Sequence, residues 1–138
     1  MRSPKKVITE PDRWRLKQAI EAARSAWRSF GPHLDWLAAQ LREAHVVPAD
    51  QVPHDVVTMN SQVEVEDVRA KAPNRFTIVY PDEAVRELGE VSVFDPAGLA
   101  LLGMRVGDFL FWSEPGARRT GRVRKLLYQP EAAGHYDR

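Results

Sequence analysis

Three glycines, Gly98, Gly103 and Gly107, punctuate the apolar run "DPAGLALLGMRVGD" between Asp95 and Asp108. A Gly-rich loop is one backbone device for gripping phosphate, because its N–H groups converge on the anion. It needs either G-x-G-x-x-G or G-x-x-x-x-G followed by Lys and then Ser or Thr. Neither spacing is present. Gly103 and Gly107 read more simply as backbone punctuation, the first as the cap of a short helix and the second in a turn into "DFLFW". The histidines at 33, 45, 54 and 135 show no i, i+4 pairing suited to zinc. With no cysteine in the chain, thiolate chemistry, disulfides and sulfur-ligated zinc fall away together. No Gly-x-Ser-x-Gly elbow offers a serine nucleophile. These residues therefore point to no catalytic centre, no metal and no cofactor.

Two basic clusters remain. On one helix Arg13, Lys17, Arg24 and Arg28 fall within about 60° of one another at 3.6 residues per turn. They form either a solvated face, helped by Glu21, or a contact stripe for an acidic surface or for nucleic acid, DNA included. Arg118, Arg119, Arg122, Arg124 and Lys125 lie in and before the last strand. Alternation puts Arg122 and Arg124 on one face and Val123 on the other. Protection of an edge strand by charge and RNA binding both account for this second cluster. The aromatics Phe76, Tyr80, Phe109, Phe111, Trp112 and Tyr128 lie within strands, where a core role is the simpler reading than a peptide-binding cavity.

The elements that carry these residues fit a chain of 138 residues, enough for one ordinary domain or two small adjoining units. Lys and Arg number 20 against 19 Asp and Glu, a net charge of +1, so attraction to a polyanion must come from local clustering. The basic start "MRSPKKVITE" is followed by no apolar run of signal length, and no stretch is long and apolar enough to span a bilayer. A soluble cytoplasmic protein, with no membrane partner, is expected.

Between Pro11 and Phe30 the residues Leu16, Ile20, Ala23, Trp27 and Phe30 recur at helical spacing, and Leu34, Leu37, Leu41 and Ala44 repeat it. "GPH" separates the two seams, with Gly31 ending one helix and Pro32 opening the next. So short a link predicts an antiparallel helical hairpin, a short coiled coil over residues 1–48, with its tip near Phe30 to Asp35. Its first helix, roughly 18 residues at about 1.5 Å each, spans about 27 Å. Residues 49–138 then read as β-rich. "VVTMNSQVEVEDV", "RFTIVYP", "EVSVFDP", "DFLFW" and "GRVRKLLYQP" predict about five strands, with one short helix over "PAGLALLG". The tail "EAAGHYDR" reads as a frayed or loosely attached end. The fold class is α+β.

The run "SVFDPAGLALLGMRVGD" resembles the C-terminal domain of the Gre transcription factors, where a strand ending in Ser-x-x-x-Pro leads to an "ALL-G" helix and "VGD". "VPHDVVTMNS" and "YQPEAAGHYD" look closer still to their short-hairpin relatives, the regulators of nucleoside diphosphate kinase. The resemblance implies an FK506-binding-protein-like (FKBP-like) sheet of mostly antiparallel strands wrapped on one helix. It also implies RNA polymerase as partner, gripped at the rim of its secondary channel by Asp95, Pro96 and Ala97, with Phe94 preceding them where Gre factors commonly place an acid.

Gre factors promote transcript cleavage because two acids at the hairpin tip help hold magnesium. A hard cation wants oxygen ligands from more than one carboxylate. The tip "SFGPHLDW" carries His33, Asp35 and Trp36, and Asp35 is its single acid, read as a first-turn acid favoured by the helix dipole. Trp36 is either an exposed interaction residue or a brace for Trp27 or Phe30. The expectation is a monomeric, non-enzymatic transcription regulator that competes with Gre-type factors. A cleavage factor, a prolyl isomerase and a nucleic-acid-binding module stand as alternatives from other classes.

Overall fold

The computed structural model describes residues 6–26, 31–69, 71–114 and 116–136. Trp27, Arg28 and Phe30 lie outside the described residues, and of His33 only the backbone is described.

A short strand, β1 (Val7–Thr9), leads into helix α1 (Glu10–Ala26). Helix α2 (Gly31–Glu43) returns to strand β2 (His45–Val47). The first helix starts where Thr9 Oγ1 accepts the Asp12 N–H at 3.2 Å, satisfying one of the donors that every helix start leaves open. Leu16, Ile20 and Ala23 on α1 are buried, as are Leu34, Leu37 and Leu41 on α2. Near the far end of α1, Arg24 pairs with Asp35 near the start of α2 at 2.7 Å, as antiparallel neighbours require. The link between the helices lies outside the described residues, and Gly31 belongs to α2. Pro32 then stands in the opening turn, where its missing N–H costs nothing.

The β1–β2 pair was not foreseen. The two strands run parallel, with Val7 opposite His45 and Thr9 opposite Val47. They close the base of the hairpin with β-branched residues, of which Val7, Ile8 and Thr9 are buried.

The main sheet contains β3 (Gln62–Asp67), β4 (Pro73–Val79), β5 (Glu90–Ser92), β6 (Phe109–Glu114) and β7 (Ala117–Tyr128), in the order β5-β4-β3-β7-β6. Only β4 and β5 pair in parallel; the other three pairings are antiparallel. The first strand is shorter than the periodicity suggests. Thr58 N–H donates to Ser61 Oγ at 2.9 Å and Asn60 takes φ 65°, so Val56–Asn60 forms a buried turn that ends before β3. The C-terminal segment also departs from expectation. Thr58 donates to Glu131 Oε1 at 2.7 Å, and Gln129 Nε2 donates to the Pro53 and Val56 carbonyls at 2.9 and 2.7 Å. Through these bonds the chain is fastened to the sheet's entry loop rather than frayed.

Helix α3 (Pro96–Leu101) lies between β5 and β6, and Leu99, Leu101 and Leu102 are buried against the sheet. One apolar cluster runs from Leu16, Ile20, Leu37 and Leu41 of the hairpin to Val63, Ile78, Leu101 and Leu110 of the β half. Two buried polar bonds register these halves. The Met59 N–H donates to Asp12 Oδ2 at 3.0 Å, and Lys6 Nζ donates to Leu99 O at 2.7 Å.

Asp12 has its pKa raised from 3.8 to about 7, first by burial and then by Glu131, against the opposing Met59 N–H, Thr9 and Arg15. The folded state thus holds this proton more tightly than the unfolded chain. Its contribution to stability is complete below pH 3.8 and is lost as pH climbs to about 7. Asp12→Asn keeps an acceptor for the Met59 N–H and cannot ionise. Urea unfolding across pH should therefore show a flatter profile for Asp12→Asn than for wild type over that window. Asp12→Ala, which strands the Met59 N–H, should lose about 1–3 kcal/mol at low pH, and its deficit against wild type should shrink as pH climbs to about 7.

Candidate partner-binding site

Strand β5 ends at Ser92, and the chain turns through Val93, Phe94 and Asp95 into α3. Three hydrogen bonds hold this turn. Phe94 N–H donates to Ser92 Oγ at 3.0 Å, Ser92 N–H to Asp95 Oδ2 at 3.3 Å, and Asp95 N–H to Ser92 O at 3.0 Å. Asp95 is extended (φ −76°, ψ 152°), the conformation that a following proline enforces. Pro96 then opens the helix, where it needs no N–H. The spacing Ser92 to Pro96 is thereby explained: the serine hydroxyl and the aspartate each satisfy an N–H of the turn, and the proline fixes its exit.

Helix α3 approaches β5 so closely that a Cβ on Gly98 would lie 2.1 Å from Ser92 O. Gly103, just past the helix end, has φ 79°, and a Cβ there would meet Lys6 Cβ at 2.7 Å. These two glycines serve backbone approach and backbone conformation, with no part in holding an anion.

Asp95, Pro96 and Ala97 are half-buried and reach the surface, whereas Phe94 is only 8% exposed. Its ring lies against the core and helps to line a cleft of about 630 Å³ whose other walls include Trp14, Ala19, Ala22 and Ala23 of α1 and the segment Tyr80–Glu83. Of the four residues singled out from the sequence, three form the accessible turn. The fourth joins that turn to the hairpin.

Asp35 is the fifth residue of α2, beyond the first turn. What holds it is the exposed ion pair with Arg24 rather than the helix dipole. Among the described residues no three His, Asp or Glu side chains come together as a metal site would need. Trp36, assigned to the tip, has Lys6 Nζ 5.2 Å from its ring centroid, so it braces the N-terminal segment. Lys6 itself was missed. Its ammonium caps the carbonyl end of α3 through Leu99 O, and burial lowers its pKa to about 8. A lysine before a β-branched triplet gives no sequence signal for such a role, whereas Thr9-x-x-Asp12 matches a helix-start pattern.

Arg13, Lys17 and Arg24 do share one face. They line a groove between the helices with Arg42 and Glu21, over Ile20, Ala38 and Leu41. In the second cluster Arg122 and Arg124 are exposed and Val123 is buried, as alternation requires. The edge-protection reading does not apply to Arg122, which is flanked by both β3 and β6, whereas Arg118 and Arg119 pair with β6 alone and Lys125 with β3 alone. The core reading of the aromatics also fails at two positions. Leu110 takes the inward place on β6, which turns Phe109 and Phe111 out to solvent.

Residues 52–128 match the family described as transcription elongation factor GreA/GreB, C-terminal. The chain belongs to this GreA/GreB family, among the regulators of nucleoside diphosphate kinase. It is 39% identical over 137 residues to the regulator of nucleoside diphosphate kinase of Escherichia coli K12, covering 99% of this chain and 98% of that one. Similarity to transcription elongation factor GreA of Nitratidesulfovibrio vulgaris (strain Miyazaki F) is 30% over 79% of this chain and 68% of the relative. The solved GreA/GreB elongation factor from Nitrosomonas europaea superposes with a TM-score of 0.76 at 34% identity, covering 91% of this chain and 100% of that one. Gfh1 of Thermus thermophilus, at 23% identity and a TM-score of 0.50, shares the fold. Family membership and the Ser92–Pro96 turn thus coincide in one segment of the chain.

Gly98→Ala should push α3 away from β5, because the clash is with a backbone oxygen that no rotamer relieves. A loss of about 1–3 kcal/mol in urea unfolding is expected, whereas Ala97→Ser on the exposed turn should leave the midpoint unchanged.

Proposed function

We propose that this chain is a non-enzymatic regulator of transcription that binds RNA polymerase at the rim of its secondary channel through Asp95, Pro96 and Ala97. The carrying observation is the Ser92–Pro96 turn: pinned by three hydrogen bonds, it presents a rigid polar and apolar surface at the start of α3. A preorganised loop loses little conformational freedom on binding. Similarity to proteins named as transcription elongation factors supports a partner in the transcription machinery. On this reading residues 49–138 form an FKBP-like module, residues 1–48 a short coiled-coil hairpin, and the protein works as a cytoplasmic monomer. Its occupancy of the rim excludes Gre-type factors by mass action.

The second reading, a transcript-cleavage factor, asks the hairpin tip to supply oxygen ligands to magnesium. Residues 27–34 carry no Asp or Glu in the sequence, and Asp35 is engaged by Arg24 at 2.7 Å. Both facts favour occupancy without chemistry.

Immobilised core RNA polymerase should retain the wild-type chain and lose Pro96→Arg by about tenfold or more, the effect of removing one central contact. Equal retention of both would overturn the assignment of this turn. In a backtracked elongation complex with magnesium, the chain should leave the RNA length unchanged and should slow cleavage by an added Gre factor. Shortening of the transcript by this chain alone would favour the second reading.

A further inference from the structure

The outer face of β6 and β7 carries two large aromatics that stay largely exposed among the described residues. Phe109 is 56% exposed and Phe111 72% exposed, while Leu110 between them is buried. Opposed residues of antiparallel strands share a face. Phe109 is opposite Arg122, Phe111 opposite Thr120, and Ser113 opposite Arg118. The Arg122 guanidinium lies 5.7 Å from the Phe109 ring centroid. Further in, Arg124 is bound by Glu64 and Glu66 at 3.7 and 3.3 Å. Arg118 and Arg122 make no ion pair among the described residues. The face therefore combines two exposed arginines, of which Arg122 lies over Phe109 and opposite Glu66 of β3, two largely exposed rings and two hydroxyls.

Charge placed to guard a sheet edge belongs on the edge strand. Here the outermost strand is β6, with the sequence FLFWSE, and Arg122 sits on β7 between β6 and β3, while Arg118 lies beyond the end of β3. A second copy of this chain docking on the same face would bring Arg118 and Arg122 of both copies together, which like-charge repulsion disfavours. An anionic polymer with flat, unpaired faces satisfies both features. Successive outward residues of a strand stand about 6.7 Å apart, so each phenylalanine is free to stack a separate base while the arginines meet phosphates. Thr120 and Ser113 add hydroxyls able to bond a ribose 2′-OH. We propose that the β6–β7 face, through Phe109, Phe111, Arg118 and Arg122, binds single-stranded RNA. This site is separate from the Asp95–Ala97 turn and needs no polymerase.

The test is fluorescence anisotropy of a short labelled oligouridylate with the full chain alone. The arms are the same titration with an oligodeoxyuridylate of equal length and with an RNA duplex. Binding to the single-stranded RNA should be tighter than to either and should weaken as salt rises. Phe111→Ala should weaken it about tenfold, and Phe111→Trp should restore it. Arg122→Gln should weaken it and flatten the salt slope by about 0.7. Leu88→Ala, at a similarly exposed apolar residue off this face (71%), should change nothing, and each variant should keep the wild-type melting temperature. Absence of wild-type binding would overturn the proposal, as would affinity indifferent to Phe111→Ala. Equal affinity for the DNA or duplex would overturn the assignment to single-stranded RNA. Self-association abolished by Phe111→Ala in ultracentrifugation, without RNA binding, would reassign the face to contact between copies.

Discussion

The bond from the Met59 N–H to the Asp12 carboxyl, at 3.0 Å, spans 47 residues of sequence, and the Lys6 ammonium makes its counterpart by donating to Leu99 O at 2.7 Å. Both side chains are taken out of water, which is costly for polar groups unless they are hydrogen-bonded. Burial accordingly drives each toward its neutral form, Asp12 up to about 7 and Lys6 down to about 8. The apolar seam between the halves is non-directional and would tolerate sliding. These two directional bonds remove that freedom, so the hairpin's position on the sheet is set at its base.

Everything farther along the hairpin inherits that position. Trp14 to Ala23 of α1 face Tyr80, Pro81 and Phe94 across the cleft, and Trp36 of α2 is held beside Lys6. Residues 14–23 of α1 therefore lie across the cleft from the β half. Helix α3 transmits the same constraint to the surface. Its last turn is gripped by Lys6, Gly98 lets its middle sit on Ser92 O, and its first residue emerges from the turn that offers Asp95 and Pro96. Six residues thus couple the buried ammonium to the exposed loop.

What was legible in the sequence follows from the range of the forces. Helical spacing of Leu16, Ile20, Leu34, Leu37 and Leu41 records burial of a local face, and all five are buried. Ser92-x-x-x-Pro96 records a turn closed by its own neighbours, so it too was readable. Strand order is different, because no local signal tells β7 that β6 will flank it and β3 will lie on its other side. The arginines of β7 were therefore open to an edge-strand reading that the register removes at Arg122, which has a partner strand on each side. Phe109 and Phe111 misled for a related reason: alternation fixes that they oppose Leu110, but which set faces the core depends on strands far away in sequence. Lys6 was silent because its partners are backbone carbonyls of residues 99 and 100, which any side chain types would have supplied.

Phe94 shows how docking of the hairpin and the character of the loop constrain each other. The resemblance to Gre factors sets an acid at this place, yet here the side chain is 8% exposed and lines a cleft with Ala22, Ala23, Asp82 and Glu83. A carboxylate there would lose solvation and share the cleft with Asp82 and Glu83, which disfavours its ionised form, against the single cation Arg15 on the same lining. A hairpin lying against this loop thus selects an apolar residue at 94, and an ionised acid at 94 would select for a hairpin held away from it. The polar part of the surface is then left to Asp95, whose carboxylate is turned back toward the Ser92 N–H. What the loop leaves at the surface is then chiefly the half-buried Pro96 and Ala97, so a partner on the proposed reading would be recognised by shape before charge.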